Sequence, residues 1–231
     1  MALFKVKPQF RKRSKTLSYY GVVTPFTTPR YELAAAANEN YALFGGGHVA
    51  NTGTYDYVDY YNTVLTRSNA SRLDYARYAL AATIVGARDF IFAGGNDGAS
   101  DMRNNIDVYD GNTLTKGGGN FPGLGRARCF LAATNVGGYA LFGGGYDNYG
   151  YGTATVDAYN NYISKQPIGD LRVDTYRLAA TTVGNYALFG GGIYGGSYSL
   201  RSIVTAYDST LTRIDTVANL SKARCDLSAT T

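Results

Sequence analysis

Tyr41-Ala-Leu-Phe-Gly-Gly-Gly47 returns as Phe90-Ile-Phe-Ala-Gly-Gly-Asn96, as Tyr139-Ala-Leu-Phe-Gly-Gly-Gly145 and as Tyr186-Ala-Leu-Phe-Gly-Gly-Gly192. The copies begin 49, 49 and 47 residues apart. Self-similarity at a near-constant period of this length marks a repeat architecture, one supersecondary unit per period. The rest of each period is read outward from this stretch.

Before each copy lies a segment of small residues: Leu33-Ala-Ala-Ala-Ala37, Leu80-Ala-Ala-Thr-Ile84, Leu131-Ala-Ala-Thr-Asn135 and Leu178-Ala-Ala-Thr-Thr182, with a fifth at Leu227-Ser-Ala-Thr-Thr231. Alanine is a poor strand former, so its recurrence points to crowding where backbones converge on an axis. We name this strand A, and the Tyr-Ala-Leu-Phe stretch strand B. Gly137-Gly138 and Gly184-Asn185 between them are hairpin dipeptides. After a longer loop comes strand C: Val58-Asp-Tyr-Tyr61, Ile106-Asp-Val-Tyr109, Val156-Asp-Ala-Tyr159 and Val204-Thr-Ala-Tyr207. A turn leads to strand D, expected at Val64-Leu-Thr-Arg67, Thr113-Leu-Thr-Lys116, Tyr162-Ile-Ser-Lys165 and Thr210-Leu-Thr-Arg213, with a further copy at Thr16-Leu-Ser-Tyr-Tyr-Gly21. Four antiparallel strands per period, Gly-rich turns and no helical periodicity predict an all-β protein built as a β-propeller.

The glycine pairs Gly45-Gly46, Gly94-Gly95, Gly143-Gly144 and Gly190-Gly191, followed by Tyr61, Tyr109, Tyr159 and Tyr207 on strand C, resemble kelch repeats. The tryptophan of the kelch pattern is absent, and Leu65, Leu114, Ile163 and Leu211 stand in its place in strand D. The resemblance covers residues 16–231 and implies a kelch-like β-propeller: four complete four-stranded blades plus a partial blade split between the chain ends. The near-identical repeats are similar to a divergent kelch-like subgroup of Gram-positive gut bacteria and their phages. Strands B and C of the closing blade are not identified, so a truncated chain with an open, association-prone edge is expected.

The net charge of +5 in 231 residues is local. Residues 1–15 carry six cations and no acid, and without them 16 basic residues face 17 acidic ones. The reading is a basic N-terminal arm at 1–15 followed by a near-neutral propeller at 16–231. Contact with nucleic acid is expected only of the arm. Cys129 and Cys225 share one register on non-adjacent repeats, so no disulfide is expected. No stretch reads as a signal peptide or a membrane span, and a virion or the cytoplasm is the expected location.

Alternating strand direction puts the B–C and D–A loops on one face. These loops vary between repeats, whereas the A–B and C–D turns do not, and variation on one face of a regular scaffold points to recognition. Their Tyr, Ser, Gly and Asn content suits a protein or glycan ligand. Tyr55, Tyr57, Tyr146, Tyr149, Tyr151, Tyr194 and Tyr198 are the aromatic candidates. Arg30, Arg77, Arg128 and Arg224 precede strand A at one register and are expected to ring the axial mouth, either for an anionic ligand or paired with a neighbouring blade. The residue two further on differs each time: Glu32, Ala79, Phe130, Arg177 and Asp226.

His48 is the only histidine, and Asp97, Asp101 and Asp107 lack calcium-loop spacing. No cofactor or metal is expected, nor an enzyme. The expected function is a non-enzymatic binding module in a phage tail or bacterial surface protein. The alternatives are an intracellular adaptor and a propeller-based carbohydrate-active enzyme; copper oxidases and sialidases also use propellers, but neither the metal ligands of the former nor the Arg triad, Tyr and acids of the latter are assembled from this sequence.

Overall fold

The computed structural model describes residues 21–230 other than Ala87 and Ser100. The basic arm and the strand expected from Thr16 to Tyr20 lie outside the described residues, as does Thr231.

Three sheets have four antiparallel strands in sequential order. The first runs Ala34–Ala37, Tyr41–Gly45, Val58–Asn62 and Arg67–Asn69. The third runs Ala132–Val136, Tyr139–Gly143, Val156–Tyr159 and Lys165–Gln166, and the fourth Ala179–Val183, Tyr186–Gly190, Val204–Asp208 and Arg213–Ile214. In the second, Ala81–Val85, Asp89–Ala93 and Ile106–Tyr109 form the sheet, and strand D is a single bridge from Lys116 to Tyr109. Pairing of Val85 with Asp89, as of Val136 with Tyr139, shifts the second unit by one residue from its sequence alignment. Ala93 therefore matches Gly45, and Gly94-Gly95 match Gly46-Gly47. The A strands of consecutive units are neighbours, and residues 229–230 join them in lining one axial passage.

Strand D starts later than expected, at Arg67, Lys165 and Arg213. The preceding residues form a tight turn. Asn62, Asp110, Asn160 and Asp208 each accept backbone N–H bonds through Oδ1, as from Thr210 at 2.8 Å and Thr212 at 3.0 Å onto Asp208. That side-chain anchor competes with the ladder and delays the strand. Leu65, Leu114, Ile163 and Leu211 lie in this turn, at φ of 61°, 56°, 58° and 66°.

The repeated glycines have a specific cause. The N–H groups of Gly47, Gly95, Gly145 and Gly192 each donate, at 2.9 Å, to the carbonyl of the next unit's residue at the Arg register: Arg77, Arg128, Thr175 and Arg224. The preceding glycine has φ between 67° and 75°, and a Cβ on it would lie 2.4–2.7 Å from that same carbonyl oxygen. One step earlier, a Cβ on Gly45 would meet the Phe92 ring at 2.7 Å, and one on Gly143 the Phe189 ring at 2.8 Å. The second and fourth units thus lay Phe92 and Phe189 against the end of the preceding strand B. Phe90, Phe92, Phe142 and Phe189 are buried in three core clusters between the sheets.

In the first, second and fourth sheets a strand-C tyrosine ties the sheet to the loop that leads into it. Tyr61, Tyr109 and Tyr207 donate their hydroxyls to the carbonyls of Thr24, Ser71 and Gly169. Burial pushes the phenols of Tyr109, Tyr159 and Tyr207 up. No helix among the described residues is long and apolar enough to cross a membrane.

Candidate functional site

The arginine register turns inward. Arg30, Arg77 and Arg128 have fully buried side chains and pair with Asp59, Asp107 and Asp157 at 2.7, 2.6 and 2.9 Å. Each guanidinium also donates to a strand-B carbonyl, that of Phe44, Phe92 or Phe142. These partners belong to the arginine's own unit, which corrects the expectation of a neighbouring blade, and none of these three guanidiniums is free at the mouth. Burial pulls Arg77 and Arg128 below their ordinary value, and the aspartates oppose it. The fourth unit replaces both partners together: Thr175 stands at the Arg position and Thr205 at the Asp position. Arg224 is exposed.

What faces the axis is the residue two beyond. Glu32, Ala79, Phe130, Arg177 and Asp226 have φ between 52° and 55°, a left-handed backbone uncommon for non-glycine residues. Their amides link the units in a chain. Ala79 N–H donates to Glu32 C=O, Phe130 to Ala79, Arg177 to Phe130 and Asp226 to Arg177, at 2.8–3.1 Å. The five side chains line a small axial mouth, in which Arg177 pairs with Asp226 at 3.0 Å and lies over the Phe130 ring at 4.3 Å. His48 stacks between Tyr31 and Tyr78 at 4.0 and 4.2 Å, with its Nδ1 3.6 Å from Glu32. Cys129 is a buried free thiol, pushed up to about 12 by burial, and Cys225 is also free.

A larger groove, about 480 Å³, opens between the B–C loops of the third and fourth units. Asp147 shapes its first wall. It is buried, accepts the backbone N–H groups of Tyr149 and Tyr151 through Oδ1, and holds Arg126 through Oδ2 at 2.6 Å. This anchored turn presents Tyr151, 61% exposed, to the groove. Tyr194 stands on the opposite loop with Arg201 over its ring at 4.5 Å. The floor is glycine on glycine, since a Cβ on Gly195 would lie 1.9 Å from the amide nitrogen of Gly152. Asp170 and Asp174, exposed on the D–A loop entering the fourth unit, complete the lining with Arg126.

Of the tyrosines expected from the sequence, the groove unites Tyr151 and Tyr194 only. Tyr55 and Tyr57 pair with each other at 5.2 Å in the first unit, and Arg72 lies over Tyr57. Tyr146 packs on Tyr176 at 5.0 Å. Tyr149 and Tyr198 are 78% and 77% exposed, outside the groove. Asp170, Asp174 and Arg126 were not candidates; the signal available was their place in D–A loops, which vary on the same face.

No family model matches the sequence, and no curated protein matches it. In fold the chain is similar to a solved structure titled "Structure of YjhT", a propeller-type protein. The TM-score is 0.71 over 90% of this chain and 76% of that chain, at 12% identity. This likeness corrects the expectation that the chain is not an enzyme. The chain has a propeller-type all-β fold, made of antiparallel sheets of three or four strands.

Proposed function

We propose that the chain is a kelch-like propeller directed at carbohydrate, with the groove between its third and fourth blades as the sugar site. One observation carries this reading: Tyr151, Tyr194, Asp170, Asp174 and Arg126 line a single cavity of about 480 Å³ on the variable loop face. Aromatic faces suit the apolar side of a sugar ring, and the carboxylates accept hydrogen bonds from its hydroxyls. A groove of this size fits the range of small-ligand sites, roughly 300–1,000 Å³. Display on a virion tail or a bacterial surface fits such recognition.

The presence of Asp170 and Asp174 in one lining favours a second reading on the same site, hydrolysis of a glycosidic bond. Two carboxyl groups flanking that bond are the elementary kit of most glycosidases, one acting as acid and the other as base or nucleophile.

A glycan array with the purified chain, followed by calorimetry on the best binder, tests both. Tyr151→Ala and Tyr194→Ala should each weaken binding about tenfold or more. Absence of any glycan binding, or binding indifferent to both variants, sinks the carbohydrate reading; a protein ligand sensitive to the same variants would put an adaptor in its place. Turnover of a chromogenic glycoside that is lost in Asp170→Asn or Asp174→Asn, with binding kept, establishes hydrolysis. Binding without turnover of any bound glycan rejects it.

A further inference from the structure

The axial mouth, about 190 Å³, shares no residue with the groove between the third and fourth units. Its rim is Glu32, Ala79, Phe130, Arg177 and Asp226, and the leucine that follows each of them, from Leu33 to Leu227, completes the lining. The rim keeps side chains where the backbone favours glycine, with φ between 52° and 55° at all five positions. Residues held in such sparsely populated backbone regions cluster at ligand sites. Apart from three charges, this lining is apolar.

Two of the three charges cancel. Arg177 is held by Asp226 at 3.0 Å and lies over the Phe130 ring at 4.3 Å. Glu32 is left over. Among the described residues no lysine or arginine pairs with it. Its partner there is His48 Nδ1, 3.6 Å away and beyond hydrogen-bond reach, a nitrogen that makes no hydrogen bond. The Glu32 charge is felt across the mouth, because burial and, after it, the Glu32 carboxylate push up the Cys129 thiol of the third unit. We propose that the axial mouth binds one primary ammonium group on a straight apolar stem, with the head on Glu32 and the stem along the leucines and Phe130. Apolar surroundings strengthen the attraction between such a head and the carboxylate. The mouth is smaller than the roughly 300–1,000 Å³ of ordinary small-ligand pockets, which suits an alkyl stem better than a ring. A free alkylamine and the lysine side chain of another protein present the same compact head with three donors.

The test is a titration of the full chain, followed by the amide signals of Glu32, Phe130 and Arg177 in NMR spectra. n-Pentylammonium should shift these signals saturably, with a Kd of about 1 mM or tighter. n-Pentanol, with the same stem and no charge, should bind at least about tenfold more weakly. Glu32→Gln keeps the shape of the side chain and should lower the ammonium affinity at least about tenfold. Glu39→Gln removes the same charge from an exposed turn at the other end of strand A and should leave the affinity unchanged. A lysine blocked at both its α-amino and carboxyl groups separates the two sources. If it binds as tightly as pentylammonium, the mouth takes a side chain of a polypeptide; if only the free amine binds, the mouth takes a small molecule. Either result supports the proposal. Equal binding of pentanol and pentylammonium, an affinity unmoved by Glu32→Gln, or the absence of shifts at the mouth would each overturn it. So would tighter binding of hexanoate that is lost in Arg177→Gln, which would make Arg177 the anchor and the ligand an anion.

Discussion

At the residue scale, the buried Arg–Asp pairs are the feature most open to measurement. Arg77 and Asp107 have no side-chain exposure and lie 2.6 Å apart. Taking both charges out of water costs several kcal/mol per ion, so the pair contributes little net stability although each member depends on the other. Arg77→Ala should therefore destabilise by about 3–5 kcal/mol, since it strands a buried carboxylate. The fourth unit shows the uncharged solution: Thr175 donates to Gly191 C=O at 3.0 Å, and Thr205 accepts from Arg172 N–H at 3.1 Å. Arg77→Thr combined with Asp107→Thr should cost less than Arg77→Ala alone. Urea unfolding of the single and double variants measures this, and a double variant as unstable as the sum of its singles would refute the coupling.

At the element scale, the turn between strands C and D carries a pH signature. Hydrogen bonds from the Thr210 hydroxyl and from the amides of Thr212 and Thr210 hold Asp208 below the usual carboxylate range. The amides of Thr113 and Asn112, with the Thr113 hydroxyl, do the same for Asp110. A carboxylate depressed in the folded state lends stability above its unfolded pKa, near 3.8, and loses it as pH falls through the folded value. Asn62 and Asn160 make the equivalent turn without titrating. Asp110→Asn with Asp208→Asn should keep the fold near neutral pH and flatten the loss of stability below about pH 4. Denaturant midpoints at a series of acid pH values check it, and an unchanged pH slope would rule the two carboxylates out as its source.

At the scale of the molecule, the units are joined by close backbone and ring contacts rather than by exposed pairs. The Gly143→Ala methyl would press on the Phe189 ring of the next unit, at 2.8 Å in the unrelaxed geometry. Such overpacking should cost about 1–3 kcal/mol. Because the amide chain through Ala79, Phe130, Arg177 and Asp226 runs from unit to unit, the loss should appear as one shifted transition. Calorimetry together with hydrogen exchange at the first and fourth units reads this out. Loosening confined to the third and fourth would mean that the units unfold independently.

The sequence by itself determined the sheets and their order, because strands, hairpins and glycine turns are local and this chain states them four times. It also exposed the variability at Glu32, Ala79, Phe130, Arg177 and Asp226, though not their left-handed backbone, which carries no glycine to announce it. Three matters were decided only in the tertiary structure. The arginines turned inward because the aspartate that neutralises each one sits on strand C of the same sheet, 29 or 30 residues later for Arg30 and Arg77. Strand D was delayed because an aspartate or asparagine side chain captured the amides that a ladder would have used. The groove arose where Arg126, Tyr151, Asp170 and Tyr194 met across two units. No periodicity links such positions, and only packing the sheets around one axis brings their loops together.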